Sequence, residues 1–234
     1  MVLQALNQYY EILASDPENT ISPVGYSVTG VSFAINLSAQ GELLYIYPLF
    51  ERVQRGKKTV EVPLRMKVPE PVKRSVNVAA NFLWDNSAYV LGLSNKNEND
   101  PQFAQKRFEA FRNKNIKLLK KADSPAASAV ISFLNLYDPN TALENEAIAG
   151  HIQELLKGGF LVFRMDGNWV HEDPEIRRVW EMERYKAPTN QEIGLCLVAG
   201  ERAGMAKKGG RVDRRINAEA GVATLVGLVS RAAR

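Results

Sequence analysis

The sequence predicts an α+β fold with mixed or antiparallel sheet regions and packed helices, and three observations carry that expectation. Val31, Phe33, Ile35 and Leu37 alternate with polar or small residues, the period of a half-buried strand. Leu3, Leu6, Tyr10 and Leu13 recur at helical spacing, as do Phe103, Phe111, Leu118 and Leu119. The pairs Gln40-Gly41 and Asp166-Gly167 sit between apolar runs, where hairpin turns belong.

The first helix presents that apolar stripe, turns Asn7, Gln8 and Glu11 to water, and ends at Asp16-Pro17. The alternating strand then turns at Gln40-Gly41 into a return strand from Leu43 to Phe50. Two strands alone are marginal, so a third strand or a covering helix is needed. The return strand runs into a basic turn holding Arg52, Arg55, Gly56, Lys57 and Lys58. Pro48, Pro63, Pro69 and Pro71 make the next stretch poor at forming a central strand, because proline removes a ladder donor. An edge or an ordered loop is expected there.

Beyond the polar, turn-rich SNKNENDPQ, a helix is predicted from Phe103 to Asp123. Its far face carries Lys106, Arg107, Arg112, Lys114, Lys117, Lys120 and Lys121, either a solvated outer surface or a face toward nucleic acid. Helices over Ala126–Tyr137 and Ala142–Leu156 follow, the second stopping at Gly158-Gly159. Phe160 to Arg164 reads as a strand, Asp166-Gly167 as its turn and Trp169 to His171 as the return. Asp173 is a natural N-cap with Pro174 at the first helical position, and Val179, Trp180 and Met182 supply part of the buried side of that helix. Ile193 to Val198 completes the pattern as a buried strand. The organisation expected is an N-terminal α+β region with a basic loop over 1–100, a helical and α+β region over 101–200, and a tail over 201–234. The boundary falls in the polar stretch Ser94–Asp100.

With 234 residues, 45% of them hydrophobic and 24% charged, the chain can bury a substantial core and is not disordered by composition. A net charge of +4 tilts it weakly toward anionic partners. The single cysteine, Cys196, excludes an intramolecular disulfide and lies in the apolar run LCLVAG, which suits a buried thiol. Neither a signal region nor an 18-residue apolar run appears, so a cytoplasmic, soluble protein without membrane contact is expected. No Walker A loop, GxGxxG, GxSxG or paired-histidine motif occurs, which points to a binding protein without cofactor rather than an enzyme.

The most informative stretch is KVPEPVKRSVNVAANFLWDNSAYVLG, from Lys67 to Gly92. It joins two cations on a proline-stiffened loop, Lys73 and Arg74, to the amides Asn77 and Asn81 and to an aromatic plug of Phe82, Leu83 and Trp84. Cations fix phosphates and amides read base edges, so this has the outline of a nucleic-acid contact loop pinned by its aromatics. A surface loop with solvated charges above a buried anchor has the same composition. The sequence is locally basic: Arg52, Arg55, Lys57, Lys58, Arg65, Lys67, Lys73 and Arg74 face only Glu51, Glu61 and Glu70.

The same residues carry a family resemblance. NFLWDN followed by YVLG, the approach VP-x-P-x-KRS, the opening LQALNQYYEILASDP, RFEAFRNKNIKLL, FLVFRMDG and GLCLVAG occur in order. Together they resemble the large subunit of the type I-C CRISPR interference complex, Cascade. The resemblance implies recognition of the short motif flanking the target in double-stranded DNA, help in R-loop formation and recruitment of a helicase–nuclease effector. It also implies a crRNA-loaded backbone and 5′-handle subunits as partners. In that light Lys57, Lys58, Lys73 and Arg74 are candidate phosphate anchors, Asn77 and Asn81 are candidate groove contacts, and Phe82 and Trp84 brace the loop. The resemblance fades beyond about Glu201, and the helical bundle that closes the larger family members is not expected here. Two other readings stay open: a free-standing nucleic-acid binder, and a metal-dependent nuclease built on Asp166 and His171 with Glu172 and Asp173 nearby.

Overall fold

The computed structural model describes residues 2–15, 22–74, 78–98, 100, 102–184, 193–195 and 202–204. The chain divides into two units, Tyr26–Glu183 and a smaller one made of Met1–Gly25 with Arg184–Arg234. In the smaller unit, helix α1 (Val2–Ser15) carries Tyr10, whose hydroxyl donates to the Ser22 carbonyl at 2.9 Å. Cys196 and the residues from 205 onward lie outside the described residues, as does Asn77.

The larger unit is α+β, as the sequence predicts. Its first strands are β1 (Tyr26–Val31), β2 (Phe33–Leu37), β3 (Leu43–Pro48), β4 (Phe50–Arg55) and β5 (Lys58–Pro69). A clamp region leads to β6 (Trp84–Asn86) and the single-turn helix α2 (Ser87–Val90). Helices α3 (Gln102–Leu119), α4 (Pro125–Leu136), α5 (Glu146–Ala149) and α6 (Ile152–Lys157) follow, then β7 (Phe160–Met165), β8 (Asn168–Trp169) and α7 (Pro174–Arg184). The smaller unit adds the antiparallel pair β9 (Ile193–Leu195) and β10 (Arg202–Gly204).

The main sheet runs β3-β2-β7-β6, with β8 also on β7. It is mixed: β2 and β7 are parallel, and the other pairs are antiparallel. Alternation gives it two faces. Phe33, Ile35, Leu37, Ile46, Leu161 and Phe163 pack against the apolar faces of α3, α4 and α7 in the principal core. Ala34, Val162 and Trp84 face the other way and meet Val31, Met66 and Val68 of β1 and β5 in a smaller core. The result is three layers, with helices on one side of the sheet and the β1-β5-β4 sheet on the other.

Expectations for three elements change. The proline-bearing stretch is not a loop or an outer strand but β5, the middle strand of its sheet. It tolerates Pro63 and Pro69 because each half has one partner: Lys58–Pro63 pairs with β4 and Leu64–Pro69 with β1. Each proline therefore has an unladdered side on which its missing N–H costs nothing. The expected helix over Ala142–Leu156 is broken into a 3₁₀ turn, α5 and α6, with Asn145 capping α5 through a hydrogen bond to Ala147 N. Met182 is 58% exposed, whereas Ile176 joins Val179 and Trp180 in the core. The polar stretch Ser94–Asp100 lies inside the larger unit, on whose two sides the chain contributes to one core.

Candidate nucleic-acid interface

The aromatic plug folds as a polar clamp with an apolar floor. Phe82 stacks on Trp180 at 5.2 Å between ring centroids, and Trp84 donates its indole N–H to the Pro69 carbonyl at 2.7 Å. Both are buried, in keeping with a bracing role. Between them Leu83 is fully buried with φ at 61°, a left-handed conformation that a branched residue adopts at a cost of order 1–3 kcal/mol. Asn115 on α3 holds it there. Its Oδ1 accepts from Leu83 N at 2.7 Å, and its Nδ2 donates to the carbonyls of Asn81 and Phe111. Sequence reading passed over Asn115, although the signal is present: it falls on the same helical stripe as Phe111, Leu118 and Leu119, an amide where an apolar side chain was due.

Asp85 is the second centre of the clamp. Its carboxylate is fully buried and accepts from the backbone N–H groups of Asn81 and Asn86, both at 2.9 Å, and from the Arg74 guanidinium. Burial pushes the Asp85 carboxyl above the ordinary carboxylate range, against the opposing pull of the Asn81 N–H and Arg74. Arg74 also donates to the Ala79 carbonyl at 2.6 Å and lies 4.2 Å over the Tyr89 ring. Nearby, Lys114 donates to the Ala80 carbonyl at 2.7 Å, and burial holds its ammonium below the ordinary lysine range while Asp85 opposes the shift.

These contacts sort the candidate residues. Asn81 is 2% exposed, and its Oδ1 accepts from Val72 N at 3.0 Å. An amide committed inward to the loop's own backbone is not presented to a base edge, so the groove contact expected of Asn81 is replaced by a bracing role. Arg74 is a structural cation in the same sense, with its guanidinium spent on Asp85 and Ala79. Lys73 is exposed beside them. Asn77 lies outside the described residues.

Lys57 and Lys58 are placed elsewhere. The β4–β5 ribbon turns at Gly56, whose φ of 62° suits glycine, and presents Arg55, Lys57 and Lys58 exposed at its tip. No residue from Phe50 to Arg65 is fully buried, although Phe50 meets the Phe33 ring and Leu64 packs on the smaller core at the base of the ribbon, and its tip is exposed. An exposed pair, Arg52 with Glu61 at 3.2 Å, crosses it and adds little stability. The twelve residues of β5 separate Lys58 from Pro69 by about 36 Å at about 3.3 Å per residue. The structure therefore does not gather the anchors into one patch: the ribbon tip and Lys73 follow opposite ends of one strand. The span of β5 at full extension is comparable to one turn of duplex, about 34–36 Å. Among the described residues neither Lys57, Lys58 nor Lys73 forms an ion pair.

A third basic feature lies between α3 and α4. Arg112, Asn113, Ile116, Lys117, Lys120 and Asn135 line an open groove of about 550 Å³, with Arg112 donating to Asn135 Oδ1 at 3.2 Å. This is the basic helix face that the sequence brought out, and Lys114 and Arg107 leave it for the interior side, Arg107 donating to the Phe103 carbonyl at 2.7 Å.

The acidic turn does not assemble as a metal site. Asp166 is exposed, whereas His171 is 3% exposed and turned into the protein. Asp173 is used as a cap, accepting from Glu175 N, Ile176 N and the Ser124 hydroxyl. Among the described residues no three His, Cys, Asp or Glu side chains converge, and no helix is long and apolar enough to cross a membrane.

The model of the CRISPR-associated protein family Cas_Csd1 matches residues 6–232. The match continues well past Glu201, where the motifs quoted above end. No curated protein matches the chain.

Proposed function

Because the chain belongs to the Cas_Csd1 family of CRISPR-associated proteins, we propose that it is the nucleic-acid-binding large subunit of a type I-C Cascade. It recognises the motif flanking the target in double-stranded DNA, helps the R-loop to form and presents a surface to the helicase–nuclease that degrades the target. Guide pairing reads the long sequence, while the protein reads only the short flanking element and the backbone. The chain acts by binding, in the cytoplasm, beside the crRNA-loaded backbone and the 5′-handle subunits.

The observation that carries this reading is the placement, following the two ends of β5, of exposed lysines that form no ion pair among the described residues. Lys57 and Lys58 anchor one phosphate segment from the ribbon tip. Lys73 anchors another from a loop that the Asp85–Asn81–Asn115 clamp holds in place, so little entropy is lost on contact. Lysine–phosphate contacts carry no sequence information. Base-edge contact in this loop therefore falls to Asn77, since Asn81 is committed inward.

Counterion release tests the anchors. The pair Lys57→Ala/Lys58→Ala should weaken all duplexes alike and reduce the slope of log affinity against log salt by about 2, at about 0.9 per phosphate contact. An unchanged slope would remove the ribbon from the interface.

A further inference from the structure

The second face of the main sheet carries a feature that the anchors do not use. Strand register places Tyr45 opposite Asn36, Asn36 beside Arg164 and Arg164 opposite Trp169, which makes one row across β3, β2, β7 and β8. The preceding row, Tyr47–Ala34–Val162–Trp84, runs under the small core that β1 and β5 cover. The cover thins there: Tyr47 and Trp169 pack half-buried on the margin of that core, Asn36 and Arg164 are half-buried, and Tyr45 is 50% exposed.

The row is arranged as a platform. The Arg164 guanidinium lies 5.1 Å from the Trp169 ring and 5.9 Å from the Tyr47 ring. Its Nη1 donates to the Tyr47 hydroxyl at 2.6 Å and its Nε to the Gly167 carbonyl at 2.9 Å, which fix the plane of the fork. Tyr45 continues the surface at 5.8 Å from Tyr47. The row therefore holds aromatic rings, a fixed planar cation and one amide, with no carboxylate and no aliphatic side chain in it.

We propose that this row, Tyr45–Asn36–Arg164–Trp169 with Tyr47 beside it, binds unpaired nucleotides by stacking their bases. The proposal rests on the reading of the chain as a nucleic-acid-binding subunit. Every base has a π-face, so stacking on aromatic rings and on a guanidinium plane takes bases with little regard to sequence. Three strand spacings from Tyr45 to Trp169 give about 14 Å, room for two or three splayed bases on a sheet surface. The cation favours the nearby phosphates, and Asn36 offers a donor and an acceptor at the height of a base edge. Duplex cannot use the platform, because its π-faces are closed within the stack. The site thus complements the lysine anchors, which take backbone from either form.

The test is fluorescence anisotropy of the full chain with labelled oligothymidine, oligouridine and an abasic strand of equal length. Both base-bearing strands should bind and the abasic strand should not. Tyr45→Ala should weaken base-bearing strands about 5- to 150-fold, the range for losing one stacking partner, while duplex affinity stays as it was. Tryptophan emission should fall on binding and do so less in Trp169→Phe, since Trp84 and Trp180 are buried. A thymidine-over-uridine preference would assign the platform to DNA, and the reverse would assign it to RNA. Equal binding of the abasic strand, or an unaffected Tyr45→Ala variant, would overturn the proposal while leaving duplex recognition standing. Failure of duplex binding as well would overturn the underlying reading with it.

Discussion

Replacing Arg74 with alanine should destabilise the fold rather than simply delete a phosphate contact. The Asp85 side chain is fully buried and that of Arg74 is 29% exposed. Without the guanidinium, a buried carboxylate keeps only the backbone donors of Asn81 and Asn86. Breaking a buried pair from one side costs about 3–5 kcal/mol, and partial exposure of the arginine places the expected loss near the lower end, at about 3 kcal/mol. The Ala79 carbonyl and the Tyr89 ring lose their partner too. Urea denaturation of Arg74→Ala measures the loss, and Arg74→Ala/Asp85→Asn should recover much of it, because the second change removes the stranded charge. The pH dependence has a definite sign. Burial already sets the folded Asp85 pKa above its ordinary 3.8, and removal of Arg74 raises it further. The folded state then keeps a proton that the unfolded state has released, so the deficit is largest near neutrality. It shrinks as pH falls toward the unfolded value. A variant that loses under about 1 kcal/mol in urea yet loses duplex binding would refute this reasoning and restore Arg74 as an anchor.

Asn115→Ala should cost about 2–4 kcal/mol in the same assay, because Leu83 N and the Asn81 carbonyl are left buried without partners at about 1–3 kcal/mol each. A loss below about 0.5 kcal/mol would mean that the left-handed Leu83 needs no such support. His171 should govern acid stability. Burial lowers its pKa to about 4, with Arg177 acting in the same direction and a hydrogen bond to the Lys67 backbone opposing. The unfolded state takes up a proton below about 6.5 and the folded state only below about 4, so stability is full above 6.5 and drains by about 3 kcal/mol between the two. His171→Leu should flatten unfolding free energy across that window, and a variant with the wild-type pH slope would place the titration elsewhere.

The periodic parts of this fold were readable from local chemistry. Alternation at Phe33, Ile35 and Leu37 marks a strand whose one face is buried, and the apolar stripe of α3 marks a helix against that face. The proline rule misjudged β5 because it concerns ladder donors on both sides of a strand, and which sides are laddered is a long-range fact. Pro63 sits where the partner changes from β4 to β1. The candidate site was half legible. Composition marked Lys57, Lys58 and Lys73 as candidate anchors, and all three are exposed. It gave no means to tell Asn81 and Arg74 from them, since an asparagine beside a basic loop reads the same whether its amide faces a groove or the Val72 N–H. Asp85 decides the matter, because a buried carboxylate in an aromatic plug draws the nearest cation inward. The Tyr45–Arg164–Trp169 row joins residues more than a hundred positions apart through β2, and no local pattern could have assembled it.

The most direct measurement is binding of a labelled target duplex by the guide-loaded complex assembled with this chain, comparing the correct flanking motif with a scrambled one and repeating both with Lys73→Glu. The account predicts tight binding only with the correct motif, and a loss with Lys73→Glu while the urea midpoint of the chain is unchanged. Equal binding of correct and scrambled motifs would contradict recognition of the flanking element by this subunit.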